Sequence, residues 1–320
     1  MKINPISLFK YNAIPQKNIS LSATNPIFKG YSRDTFVKNI NENLLSNYYA
    51  SDLEKFREEA TEYILNSPKI TYGGLDNIVK KYSPKTRVEQ FQNEGEKSKK
   101  SNAMYEEEII QRTKFRSIKE TIQNKKIKVT IPPNQDNEAR LDLLIQFVHE
   151  AVHMFQSDAR KEVLESSFYK QYYKNRKMVN QKTADVITSL EIGYTKFEQN
   201  MFTLLGHFLN SNKNRRNLYI DDFDKYLTDN HNMNFKDIVK FLIEDTYCED
   251  GGNIINTLGE DAILDFVKFK VEKELEAYKI ADEINSEYCT NHFKKLASKM
   301  YIEMYNGISE VLKRVHIECS

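Results

Sequence analysis

His149, Glu150 and His153 stand in the order His-Glu-x-x-His within the stretch FVHEAVHMF. On an α-helix four residues turn about 400° and rise about 6 Å, so the two imidazoles would project from one face, one turn apart, as a single metal ion requires. Glu150 lies about 100° further round, where its carboxylate need not bind the ion but can reach a water bound to it. Borderline-soft Zn²⁺ accepts two neutral imidazoles plus a carboxylate and leaves a fourth position for water, whose pKa falls toward about 7. A base beside an acidified water is hydrolytic chemistry, and the implied reaction is attack of that water on a polarised carbonyl.

This chemistry needs a buried helix, and the flanking residues predict one. Leu141, Leu144, Ile145, Val148, Val152 and Phe155 follow the three-four spacing of a buried face, with Asn137 and Asp142 as polar residues near its start. With six His in 320 residues, chance places the five-residue pattern in roughly one such chain in a hundred. The bland alternative is an exposed helix carrying two ordinary histidines. Apolar residues on both sides argue against it, because two buried imidazoles and a carboxylate need partners.

The stretch resembles the active-site helix of the zincin metallopeptidases. Beyond His149, Glu150 and His153, the likeness includes uncharged Ala151, Val152 and Met154 and apolar Phe155, and it covers little of the chain. Gln156 and Ala159 stand where the metzincin branch would have Gly and a third His, so that branch is excluded. The gluzincin, thermolysin-like branch takes its third ligand from a glutamate on a later helix, commonly with a small residue three positions on. In VEKELEAYKIADE, Val271 to Glu283, this resemblance points to Glu274 followed by Ala277, although Tyr278 stands where many gluzincins place an acid. Glu276 and Glu283 compete for the role, at about 200° and 180° from Glu274 around the predicted helix. The resemblance also implies a donor to the developing oxyanion, for which His231, His292, Tyr278 and Tyr288 are all eligible. It further suggests that a substrate peptide pairs with an edge strand near the metal, either the strand read below at Lys125–Pro133 or its neighbour.

Length and composition fit a soluble enzyme. A chain of 320 residues, 40% of them hydrophobic, can bury a sizeable core in one large domain or one and a half. The formal net charge is +1 although 29% of residues are charged, so no global field favours nucleic acid or an anionic membrane. Cys248, Cys289 and Cys319 are widely separated, without a CxxC pair, and read as reduced thiols. Residues 1–17 lack the apolar core of a signal peptide, and no run of about 18 apolar residues occurs. The expectation is a soluble protein, cytoplasmic or released by a route without a signal peptide.

Taken in order, residues 1–35 read as an extended or disordered leader, 36–124 as an N-terminal helical region and 125–320 as the zincin-like catalytic region. Phe36 to Leu65 keeps helical spacing, with Ser51 and Asp52 as a cap between two helices. Gly73-Gly74 reads as a turn before a short helix from Leu75 to Tyr82, and residues 85–102 as a polar loop. Lys125 to Pro133 is the clearest strand, while Arg112 to Ile122 conceals either its partner or another helix. Residues 168–177, FYKQYYKNRK, interleave aromatic and basic side chains as a nucleic-acid surface would, yet the neutral charge balance favours an amphipathic helix with solvated Lys and Arg. His207 reads as a hydrogen-bonded core histidine. Asp221, Asp222 and Asp224 lack the glycine of a calcium loop and read as helix caps. Phe235–Ile243 and the stretch from Leu258 or Gly259 to Asn285 are helices, separated by a turn at Cys248–Asn253.

The expected fold is mainly α with a small β component, an α+β arrangement in which the zincin-like helix packs beside a short sheet. The expected function is zinc-dependent hydrolysis of peptide bonds in a protein or peptide. One Zn²⁺ per chain would be held by His149, His153 and Glu274, with Glu150 as the base, and neither a nucleic-acid partner nor a membrane span is expected. The alternative, from another class, is a non-catalytic helical interaction protein with a structural or vestigial metal site.

Overall fold

The computed structural model describes residues 43–91, 103–114, 117–166, 181–249 and 260–317. Their elements are α1 (Asn43–Asn66), α2 (Tyr72–Tyr82), β1 (Thr86–Gln90), β2 (Ala103–Lys114), β3 (Ser117–Val129), α3 (Asn137–Ser166), α4 (Gln181–Ser211), α5 (Ile220–His231), α6 (Phe235–Glu244) with a π-turn (Asp245–Glu249), α7 (Glu260–Tyr288) and α8 (His292–Leu312). The fold is mainly α with a small sheet, as expected. Among these residues no helix is long and apolar enough to cross a membrane. The readings of residues 1–35, 92–102 and 168–177 lie outside the described residues.

The chain divides into two units, one formed by Asn41–Ser167 and Glu276–Thr290 and the other including Phe168–Leu275 and Asn291–Ser320. In the first, α1 is one unbroken helix. Leu53, Phe56, Ala60 and Ile64 recur at helical spacing and are buried, while Ser51 and Asp52 sit exposed in mid-helix instead of capping a break. Phe56 packs on Phe147 and Phe155 of α3, with ring centroids 5.6 and 5.7 Å apart. The end of α1 is tied to the start of α3 by Arg140, whose guanidinium donates to the carbonyls of Ile64, Ser67 and Pro68. Carbonyls that a helix end leaves unpaired are thereby satisfied.

Gly73-Gly74 forms the first turn of α2 instead of preceding it. Thr71 caps that turn by accepting from the Gly74 N–H at 3.1 Å, and a Cβ at Gly74 would lie 1.9 Å from the Tyr63 hydroxyl. The sheet has the order β1-β3-β2, with β1 parallel and β2 antiparallel to β3. Two sequence readings are corrected here, and one that stood open between two alternatives is decided. Thr86–Gln90 is a strand inside the segment read as a loop. Of the two alternatives for Arg112 to Ile122, partner strand or helix, the described residues 112–114 and 117–122 take the first, in the β2–β3 pair with a bulge at Arg112/Thr113. β3 ends at Val129, and over Lys125–Val129 it pairs with β1 on one side and β2 on the other, so the stretch read as a strand offers no free edge. Lys125, Ile127 and Val129 are buried in alternation, while Lys126 and Lys128 reach Glu89 and Glu106 on the neighbouring strands at 3.0 and 2.8 Å. Buried Lys125 is paired with Asp158 of α3.

In the second unit, Phe197, Met201, Leu205 and Phe208 give α4 a buried face, on which Phe223 of α5 packs with its ring centroid 5.3 Å from that of Phe208; Val239, Tyr247, Met304 and Ile308 are buried in the same unit. The aspartates act as local caps: Asp222 accepts from the Tyr219 N–H at 3.1 Å and Asp224 from the Phe235 N–H at 2.5 Å. His207 is exposed, contrary to its reading as a core histidine, because Leu205, Phe208 and Leu209 turn the other side of α4 inward. Cys248 is disulfide-bonded, which corrects its reading as a reduced thiol. Cys289 is free and buried.

Candidate metal centre

α3 places the His-Glu-x-x-His residues where its buried face meets a half-buried flank. Phe147, Val148, Ala151, Val152 and Met154 are fully buried and fix the helix in the core, so the roll of the helix determines where the polar residues emerge. His153 is buried, and His149 and Glu150 are half-buried. The two imidazole rings have centroids 5.0 Å apart at 82°.

Glu274 lies on α7, two residues before the part of that unbroken helix that belongs to the first unit. Ala277, one turn on, is fully buried in the same core as Val148, Ala151 and Val152. One ligand atom from each of His149, His153 and Glu274 lies within 4.8 Å of the other two. Tetrahedral ligation at about 2.1 Å sets donor atoms roughly 3.4 Å apart, so modest side-chain adjustment would close this group on one ion. Two imidazoles and a carboxylate are a donor set that fits zinc, with a coordination position to spare.

Around these residues lies a layer of hydrogen bonds. Glu150 Oε2 accepts from the backbone N–H of Tyr105 in β2 at 2.6 Å. His153 Nδ1 is 3.0 Å from Gln156 Oε1, and Gln156 Nε2 donates to Glu276 Oε2 at 2.7 Å. The buried Tyr49 hydroxyl makes no hydrogen bond of ordinary geometry, and its burial and the nearby Glu276 carboxylate push its pKa up. The ring of Tyr278 meets that of His149 edge-on, centroids 4.6 Å apart.

The other singled-out residues have different surroundings. Glu283 pairs with Arg57 of α1 at 2.5 Å. His292 Nε2 lies 2.6 Å from the carbonyl of Arg216, and His231 ends α5 beside Tyr226. Tyr288 is exposed, and its bond to the Glu287 carboxylate raises its pKa.

In the second unit, Glu198 Oε1 accepts from the hydroxyls of Tyr194 and Tyr305 at 3.0 and 2.7 Å. Burial first, and then the like charge of Glu274, push its pKa up to about 8 against the pull of Tyr305, Lys270 and Tyr194. Sequence reasoning missed Tyr105, Gln156, Glu276 as a partner of Gln156, and Glu198. Gln156 was visible as a departure from the metzincin pattern; the others depend on long-range pairings that no local spacing signals.

The chain matches no known family model, no curated protein and no solved structure.

Proposed function

We propose that this chain is a zinc-dependent metallopeptidase, zincin-like and gluzincin-like in its ligand set, that hydrolyses peptide bonds of a protein or peptide. The observation that carries this reading is the convergence of His149, His153 and Glu274 with Glu150 alongside. Bound there, a zinc ion would polarise the scissile carbonyl and acidify a water toward about pKa 7. Glu150 is held at one oxygen by the Tyr105 N–H. Its other oxygen takes the proton of the attacking water and delivers one to the leaving amine. Tyr278, whose ring lies against His149, is the residue we assign to the oxyanion.

The Tyr105 N–H points to Glu150 and not to β3, which sets the Glu150 carboxylate against the outer edge of β2. β2 is an edge strand, and an extended substrate would add to it there.

Protein purified without chelators should hold about one zinc per chain, and His153→Ala should release it. Glu150→Gln should keep the metal and lose about 10²-fold or more in the rate of cleaving an unfolded protein, since an amide cannot accept the proton. No zinc uptake on titration, or cleavage by Glu150→Gln at the parental rate, would overturn the reading. Zinc retained by a parent that cleaves nothing in a broad peptide library would favour a structural metal site.

A further inference from the structure

We propose that Gln156 and Glu276 are positioning residues which fix the tautomer and orientation of His153 for the metal, an inference that rests on the metallopeptidase reading above. Gln156 follows His153 by three residues on α3, so the two side chains are neighbours on one helix face. They are 2% and 8% exposed, respectively. Water cannot readily substitute for a lost bond at such depth, so the direction of each hydrogen bond has consequences.

A side-chain amide has one end that donates and one that accepts, and a carboxylate oxygen accepts. Because Gln156 Nε2 donates to Glu276 Oε2 at 2.7 Å, its Oε1 is the end that faces His153 Nδ1 at 3.0 Å. Turning the amide over would set its oxygen against the carboxylate, two acceptors in contact. His153 must therefore donate, with the hydrogen on Nδ1. A neutral imidazole protonated at Nδ1 has its free lone pair on Nε2, which becomes the metal-binding atom. Glu276 thus acts on His153 through Gln156 without touching the ring.

The carboxylate end borders a cavity. Glu276 sits beside fully buried Ala277 on α7, and it lines a cavity of about 350 Å³ with Tyr49, Leu53, Arg57 and Ile280. A charge with access to such a space can be hydrated, which lowers the cost of keeping it next to a buried amide.

The relay is tested by long-range nitrogen–proton NMR of the metal-free protein together with zinc affinity from chelator competition. The parent should show His153 with its hydrogen on Nδ1. Gln156→Met, similar in shape but unable to make either bond, should give a mixture of tautomers and weaken zinc about 10- to 100-fold. Gln156→Glu alone sets two carboxylates together and should also weaken zinc. Adding Glu276→Gln restores a donor facing an acceptor at both junctions and should recover most of the affinity, which a merely structural role would not predict. Thermal melts of the metal-free variants separate misfolding from these effects. A parent that binds no zinc overturns the metallopeptidase reading. A parent that binds zinc but carries the hydrogen on Nε2, or whose affinity is unchanged in Gln156→Met, overturns the relay alone.

Discussion

Three glutamates of α7 show how the same side chain acquires different work from its partner. Glu274 groups with His149 and His153, Glu276 accepts from Gln156, and Glu283 pairs with Arg57. Removing each should therefore have a different result. Glu274→Ala takes away a charged donor atom and should weaken zinc by more than about 100-fold, whereas Glu276→Ala acts through Gln156 and should cost about 10- to 100-fold. Glu283 is 64% exposed and Arg57 32%, so Glu283→Ala should leave zinc affinity unchanged and cost no more than about 1 kcal/mol of stability. Chelator competition across the three variants reads this order, and parental affinity in Glu274→Ala would remove it from the ligand set. At this scale the sequence was informative about the two histidines and Glu150, whose relation is fixed by five consecutive residues of one helix. It could not say what Glu276 or Glu283 meets, because Gln156 and Arg57 are brought to them by tertiary packing.

Helices were legible wherever an apolar stripe ran long enough to impose a period, as in α3, α6 and α7. Boundaries suffered where polar residues fell on the solvent face of a continuous helix, and Ser51-Asp52 looked like a cap for that reason. The sheet was legible at Ile127 and Val129, where alternation is apolar and polar. It was hidden in β1 and β2, whose residues TRVEQ and AMYEEEIIQRTK carry so many charges that no face stands out. Close helix contacts leave a different signature, and α4 offers a matched pair. A Cβ at Gly193 would lie 2.5 Å from the ring of Tyr247, a fully buried side chain whose hydroxyl donates to the Leu190 carbonyl. At Gly206 a Cβ would meet nothing within 4 Å. Gly193→Ala should therefore destabilise by about 1–3 kcal/mol, and Gly206→Ala should stabilise by about 0.5–1 kcal/mol through helix propensity. Urea unfolding of both variants reads the contrast; equal effects would mean that the Tyr247 ring yields freely.

For the whole molecule, 47 basic and 46 acidic residues nearly cancel, so the response to pH is set less by overall repulsion than by individual buried groups. Glu198 is the clearest of these. Its carboxyl is raised from 4.5 to about 8, by burial and then by the charge of Glu274. A group raised in the folded state contributes stability that is complete below about pH 4.5 and lost as pH rises through about 8. Within that window the unfolded chain has already released the proton that the folded chain still holds, so folding becomes less favourable with each step up in pH. The melting temperature of the metal-free protein should accordingly fall between about pH 5 and pH 8. Glu198→Gln keeps an oxygen that can accept from Tyr194 and Tyr305 but has no proton to lose, so its curve should be flatter and should lie above the parent's near pH 8, by on the order of a few °C. The difference between the two curves isolates Glu198. A metal on Glu274 would neutralise the like charge while leaving the burial, so zinc should lessen the slope without abolishing it. Parallel curves for parent and Glu198→Gln would show that the carboxyl titrates normally in the folded protein, and the account of half-buried Glu198 as a neutral acid would fail.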